Sequence, residues 1–346
     1  ADCQASLAVR AGGEDLTAAF RGRREAFASA LEAVEEAPRP PAGADRDLAA
    51  ALLEAGWCAE GPVDDAVEFF QVDFEYGEEP CLASVHHNVH EEFTAADFGE
   101  GSFFVNDTRG FAAICPELGP GVECHFGCEV VKVSRRARDP STTEVVCRNG
   151  RSFCARVVIC TASVGVLNAG SIEFDPPIGE RKKEAIASIR MCSYTKVFVE
   201  LERPFWGEEE DYSIWAGPRR GHFAVWQPLR GPPGAAAERH VAIVTATGDE
   251  GRRLEELAEA EVLAEAAAAL RGMCGDGAPR PLAARVCRWS SDPLFRGAYS
   301  FLPAGALLGG PGVGFEDLLR PEGAVLFAGE AFHERYSGYA HGALAS

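Results

Sequence analysis

Lys196 stands in "SYTKVFVEL", where strand alternation puts it on one face with Tyr194 and Phe198, opposite Thr195, Val197 and Val199. A lysine between aromatics either snorkels at a sheet edge or is held in a site. "CRWSSDPLFRGAYSFLPAG" gathers Trp289, Phe295, Tyr299 and Phe301 among turn formers, a composition suited to the wall of an aromatic pocket. Glu75 in "DFEYGEE" is one of several carboxylates on what reads as a wet loop. The terminal stretch "GEAFHERYSGYAHGALAS" follows the strand-like "AVLFA". Its glycines let the backbone come close to a ligand, and the helix start beyond them presents unpaired N–H groups.

Other chemistry-bearing residues carry less. "HHNVHEE" (His86, His87, His90, Glu91, Glu92) lacks the spacing of a helical HExxH site and reads as a solvated loop. Of twelve cysteines only Cys124 and Cys128 stand close together, and no second pair completes a zinc site, so no metal is expected. Free thiols are the reading, in keeping with a reducing compartment. "GGPGVG" (Gly309–Gly314) mimics a dinucleotide loop, yet follows no strand and carries Pro311 in its turn, so it reads as a surface loop. Asn106-Asp107-Thr108 is an idle glycosylation match.

The elements that must position these groups alternate. Helical spacing runs from Glu14 to about Ala37, then over Leu48–Ala55 and in "PVDDAVEFF". Strands follow in "CEVVKVSR", in "TEVVCRNGRSFC" with its Asn-Gly turn, and in "ARVVICTA", whose continuous apolar run predicts burial on both faces. A meander, "SYTKVFVELE", "DYSIWAG", "HFAVWQPL" and "HVAIVTAT", leads into one long helix from Arg252 to about Gly272. Such alternation implies two lobes, each built from non-adjacent segments. Thirty-three basic against fifty-three acidic residues give a formal charge of −20, which argues against a nucleic-acid partner and would draw a polycation. No apolar run is long enough for a membrane span, and the first residues lack signal-peptide order.

With these pieces in place, the chain from about Asp64 to Ser346 resembles the flavin-dependent amine oxidases, and among them the polyamine oxidases. The motifs that carry the resemblance occur in family order: "DFEYGEEP", "FFVNDTRGF", "VVICTASVGVLNAGSIEFDPPI", "YTKVF", "RRGHFAVWQ", "RWSSDPLFRGAYSFLPAG" and "VLFAGEAFHERYSGYAHGA". The resemblance implies an α/β fold: a partial FAD/NAD(P)-binding Rossmann-like domain with an α+β substrate domain of mixed sheet and flanking helices. It places the helical part of the substrate domain at 1–120 and its sheet part at 171–290, with the FAD-binding segments at 121–170 and 291–346.

For chemistry, the resemblance implies oxidation of a C–H bond next to an amine nitrogen. Hydride passes to flavin N5, the imine hydrolyses, and O2 is reduced to H2O2. The substrate would be a small amine such as spermine or spermidine. Lys196 matches the family lysine that holds a water beside N5, Tyr299 and Tyr339 match two walls of an aromatic slot, and Glu75 matches a channel carboxylate that pairs with a distant ammonium. Glu330 would bind the ribityl or phosphate part of FAD. Gly338, Tyr339 and Ala340 would lie against the ring, Val130 would hold the adenine through its backbone, and Trp289 and Phe295 would line the flavin. Ala298 stands where monoamine oxidases carry their flavin-linking cysteine, so FAD is expected to be non-covalent. The family's opening GxGxxG unit and its last helix have no match, which implies an incomplete chain. A non-catalytic homologue and a histone-lysine demethylase are the alternatives. The expected compartment is cytoplasm or peroxisome rather than the secretory route.

Overall fold

Alternation decides the central sheet. Along Tyr194–Leu201 every second side chain, from Thr195 to Leu201, is buried, while Tyr194, Lys196, Phe198 and Glu200 are half-buried. In the computed structural model, which describes residues 6–39, 44–89, 109–110, 123–136, 139, 141–230, 239–309 and 312–346, this strand pairs antiparallel with His240–Thr247 on one side and Pro281–Val286 on the other. The sheet continues through Val225–Pro228 and Tyr212–Trp215 to Leu7–Ala11 and Glu14–Asp15, seven strands in all. His86 and His87 correct the solvated-loop reading: both lie in the short helix Val85–Asn88, and His87 is buried with Nε2 2.6 Å from Ala306 O. His90, Glu91, Glu92, the Asn106–Thr108 sequon and Pro311 lie outside the described residues.

The first strands correct the sequence reading. Leu7–Ala11 pairs parallel with Tyr212–Trp215, a partner far along the chain. Gly12 and Gly13, at φ of 62° and 86°, then turn Glu14–Asp15 back onto Arg10 and Ala11. The helix therefore opens at Thr17 rather than Glu14, where the Asp15 carboxylate accepts the Thr17 N–H at 2.9 Å. The expected long helix is two, Gly248–Glu256 and Glu259–Cys274, broken where the Glu261 carboxylate accepts the Ala258 N–H at 2.9 Å.

Neighbouring residues send their side chains to opposite faces of the sheet. Ile214 and Val225 join Phe20, Phe27, Leu48, Phe69 and Phe70 under the helices Thr17–Glu36, Leu48–Glu54 and Pro62–Glu68. Trp215 and Trp226 join Val197, Leu254, Val262, Leu270 and Met273 under the two later helices. At roughly 1.5–3 kcal/mol for each large apolar side chain taken out of water, these two layers fix the sheet.

A third core, around Val133, Cys160, Val164, Ile186, Leu318, Phe327 and Phe332, gathers the remaining strands. It joins a four-stranded sheet (Ser152–Ala155, Thr143–Cys147, Val130–Arg135, Glu173–Asp175) to a parallel pair, Val158–Cys160 with Val325–Phe327. The Asn149-Gly150 turn forms as its sequence predicts, with Gly150 at φ 83° and its N–H bonded to Cys147 O at 2.9 Å. "ARVVICTA" departs from expectation. Among the described residues Val158–Cys160 pairs with Val325–Phe327 alone; Cys160 faces the core while Ile159 is 62% exposed. No helix among the described residues is long and apolar enough to cross a membrane.

Candidate functional site

The half-buried face of Tyr194–Leu201 supplies the centre of the site. Lys196 Nζ donates to Thr245 Oγ1 at 2.7 Å from the paired strand, and lies 4.5 Å and 5.5 Å from the ring centroids of Tyr194 and Phe74. Burial among these rings lowers its pKa to about 8, so the amine gives up its proton far more readily than a surface lysine. Strands pair with Tyr194–Leu201 on both sides, so Lys196 does not stand at a sheet edge.

Aromatic rings extend from this lysine. Tyr194 and Tyr299 stand with ring centroids 5.7 Å apart at 55°, and the Tyr194 hydroxyl donates to Phe74 O at 2.8 Å. Burial raises both phenols well above their ordinary range, as it does Tyr76, and the negative charge of Glu75 pushes each the same way. Tyr339, 41% exposed, is also raised by burial and then by Glu75. The exposed Glu75 carboxylate thus lies near four phenols, Tyr76, Tyr194, Tyr299 and Tyr339, and Lys196 adjoins this group through Tyr194. Gly338 backs onto Tyr299, since a Cβ there would lie 3.6 Å from Tyr299 Cδ2.

A second group lies at the C-terminal ends of the parallel strand pair, where open α/β sheets bind ligands. A cleft of about 350 Å³ is lined there by Thr161, Ser163, Phe295, Gly297, Ala298 and Glu330, among others. Glu330 accepts the N–H of Ser300 at 3.1 Å, the Ser300 hydroxyl at 2.6 Å and the N–H of Gly338 at 2.9 Å. One carboxylate therefore joins the cleft to both tyrosine-bearing segments. Phe295 meets Trp289 edge-on at 4.9 Å, each ring almost half exposed. Ala340 opens the helix Ala340–Ala345, whose Ala343 lines the cleft.

Val130 stands apart. It begins a strand of the four-stranded sheet and is not among the cleft-lining residues.

Comparison with known proteins bears on this geometry. The family model of flavin-containing amine oxidoreductases matches residues 15–346. The chain belongs to that family. The chain is 33% identical over 294 residues to polyamine oxidase 6 of Oryza sativa subsp. japonica, covering 82% of this chain and 58% of that protein. To polyamine oxidase 1 of Zea mays it is 32% identical over 298 residues, again with 82% and 58% covered. It thus spans a little over half the length of these relatives. A human lysine-specific histone demethylase 2 is 26% identical over 266 residues, 74% of this chain and 30% of that one. Among solved structures, putrescine oxidase bound to putrescine superposes with a TM-score of 0.72 at 17% identity, covering 99% of this chain and 79% of that one. Cyclohexylamine oxidase from Brevibacterium oxydans gives 0.71 at 17%, covering 98% and 78%. The fold of this chain is theirs.

The residues present fit part of a flavin. The cleft is at the small end of ligand pockets, with room for a ring system but not a whole dinucleotide. Phe295 and Trp289 leave apolar surface exposed at its rim for a flat ring to cover. Gly297, at φ 145°, has no space for a side chain, since a Cβ would stand 2.3 Å from Met191 Cβ.

Sequence reasoning missed Tyr194, Thr245, Gly77 and Ser300. Tyr194 carried a signal, its shared face with Lys196; Thr245 became visible only through strand pairing. It also missed a cluster of His222, Glu250 and Glu265 on the far side of the sheet. Arg219 and Arg253 already hold those carboxylates, with Arg253 bonded to both. Burial would raise Glu250, but bonds from Arg253 and His222 outweigh it and bring the carboxyl down to about 2. The cluster is an ion-pair network closing the helix pair onto the sheet.

Proposed function

We propose that this chain carries the substrate slot and one side of the flavin site of an FAD-dependent amine oxidase acting on polyamines such as spermine or spermidine. The observation that carries the reading is the ring of aromatics at Lys196. Its Nζ lies 4.5 Å from the Tyr194 ring and 5.5 Å from that of Phe74, and Tyr194 meets Tyr299 at 5.7 Å. Gly338, next to Tyr339, backs onto Tyr299, and Glu75 follows Phe74. A bound, non-covalent FAD would supply the hydride acceptor at N5 and, through O2, the route to H2O2, while the imine product hydrolyses in water.

The chain's own residues have narrower tasks. Tyr299 and Tyr339 present flat, neutral faces between which an unprotonated amine carbon can be held, and their raised pKa values keep them neutral across the physiological range. Above its pKa of about 8, Lys196 is a neutral amine that can accept a hydrogen bond from a water and orient it beside the reacting carbon. Glu75 pairs with a second, distant ammonium, which favours di- and polyamines over monoamines. Glu330 holds Gly338 and Ser300, and through them both tyrosines. Trp289, Phe295, Gly338, Tyr339 and Ala340 would line the ring, and Val130 would hold the adenine on the adjoining sheet. The lobes would follow the sequence division, 1–120 and 171–290 toward substrate and 121–170 and 291–346 toward FAD, except that Glu173–Asp175 and the helix Glu180–Ser188 pack with the FAD-side core.

The plant polyamine oxidases among its relatives and the surplus of acidic residues support a polycationic substrate. The test is the visible spectrum of the protein incubated with FAD and freed of excess, before and after anaerobic spermine. A retained flavin band that bleaches is the expected result. A retained band bleached only by a methylated lysine peptide would assign a demethylase instead, and a protein that retains no flavin at any FAD concentration would be a non-catalytic homologue.

A further inference from the structure

Two sulfurs in the four-stranded sheet have no part in amine oxidation. Cys128, half-buried, precedes the strand Val130–Arg135; Cys147, buried, ends the facing strand, and its backbone pairs with Val130. Two donors converge on Cys128 Sγ, Arg151 Nη1 at 3.6 Å and Asn149 Nδ2 at 3.7 Å, and Cys147 stands diagonally across the hairpin, opposite Val130, as its electrostatic neighbour. The surrounding turn is clamped, with Asn149 Nδ2 also donating to Gly127 O at 2.8 Å and Arg148 forked onto Glu129 at 2.7 and 2.8 Å.

The two thiols are unequal. Burial and then the neighbouring Cys128 push the Cys147 thiol up, so it keeps its proton. Cys128 is reachable from water and has a guanidinium beside it, the surroundings in which thiols react. Exposed Cys81 differs: burial and then the Glu79 carboxylate push its thiol up.

We propose that Cys128 and Cys147 form a peroxide-responsive dithiol, with Cys128 the attacking and Cys147 the resolving sulfur. The Cys128 thiolate attacks one oxygen of hydrogen peroxide; an S–O bond forms, the O–O bond breaks and hydroxide leaves, giving a sulfenic acid. The Cys147 sulfur then displaces that hydroxyl, which departs with the thiol proton as water. A disulfide remains, and the two electrons lost by the sulfurs have reduced one peroxide. The bond ties the approach to Val130 across the irregularity between Val130 and Lys132. The proposal stands whether or not the protein makes peroxide itself.

The experiment treats the reduced full chain with limiting hydrogen peroxide, blocks remaining thiols by alkylation, and maps every cysteine by peptide mass spectrometry. A Cys128–Cys147 cross-linked peptide is expected ahead of oxidation at Cys58, Cys81, Cys124 or Cys154, and it disappears with dithiothreitol. In Cys147→Ser the cross-link is lost and Cys128 accumulates as a dimedone-reactive sulfenic acid; in Cys128→Ser, Cys147 stays reduced. Cys128 joined to Cys124 or Cys154, or oxidised no faster than Cys58 in the unmodified chain, overturns the proposal. None of these readouts depends on flavin or amine turnover.

Discussion

The Glu330 carboxylate accepts the backbone N–H of Gly338 at 2.9 Å while holding the N–H and hydroxyl of Ser300, so a single side chain sets the spacing of the segments that carry Tyr299 and Tyr339. Truncation leaves two backbone donors and a hydroxyl without their acceptor. The Ser300 hydroxyl can turn to Ser337 Oγ, 3.0 Å away, so Glu330→Ala is expected to cost about 2–6 kcal/mol, at ~1–3 kcal/mol for each of the two stranded N–H groups. Glu330→Gln keeps one acceptor oxygen and should lose about half as much. Thermal unfolding ranks the variants, and hydrogen exchange at the Gly338 amide locates the loss; unchanged protection there in Glu330→Ala would refute the linkage.

Lys196 gives a pH signature. Folding lowers its pKa from 10.5 to about 8 by burial, so between those values the unfolded chain binds the extra proton. Stability contributed at this site therefore rises with pH across that window, and below about 8 the charged amine is a standing cost. Lys196→Met removes that cost and the Thr245 bond together. At pH 7 the variant is expected to be more stable by on the order of 1–3 kcal/mol, the advantage fading towards pH 10.5. Flavin reduction by an amine should fall about tenfold or more in the same variant if the lysine orients a reacting water. Urea unfolding at several pH values separates the two effects. A stability difference that does not change with pH would mean the amine is not desolvated.

Parts of this were legible in the sequence because their signals are local. The face shared by Tyr194 and Lys196 follows from alternation alone, and Asn149-Gly150 specifies its turn without outside help. What could not be read depends on partners far away. Leu7–Ala11 is a strand only because Tyr212–Trp215 receives it. Nothing in the Ala/Glu/Leu run from Arg252 onward marks a break at Leu257, since no glycine or proline stands there. The apolar "VVIC" pattern reports hydrophobicity but not how many neighbours a strand will have, which is why the exposure of Ile159 was not foreseen. The roles of Glu75 and Tyr339 came from family resemblance; their shared electrostatic neighbourhood came from the fold.

Gly77 tests how closely the slot is built. Its φ is 82°, and a Cβ would stand 2.7 Å from the Tyr299 hydroxyl and 3.0 Å from Cys192 Sγ. Gly77→Ala therefore combines left-handed strain, about 1–3 kcal/mol, with displacement of Tyr299. The expected outcome is a lower unfolding temperature and weaker amine binding. Tyr299→Phe removes the hydroxyl that the methyl would strike, so the double variant should recover part of the stability, a non-additivity readable in a double-mutant cycle. Strict additivity would mean that the backbone strain acts alone.

Arg220 and Asp73 position Glu75 from beneath. The guanidinium meets both Asp73 oxygens at 2.7 and 2.6 Å and Glu68 at 3.0 Å, and Asp73 ends the wide turn Phe69–Asp73 that runs directly into Phe74 and Glu75. Arg220→Ala leaves the Asp73 carboxylate buried without its counter-charge, at a cost of about 3–5 kcal/mol. In that variant the stranded carboxyl holds its proton well above the pH at which the unfolded chain releases it, so the folded state binds the extra proton. Stability then increases as pH falls, and the deficit against the parent should be smaller at pH 5 than at pH 8. Pairing Arg220→Met with Asp73→Asn removes both charges and should recover much of the loss, with Glu68, partly exposed, left to water. Urea unfolding of parent, single and double variants at the two pH values decides it: a deficit that is the same at both would show that Arg220 supports the turn by packing and not by charge.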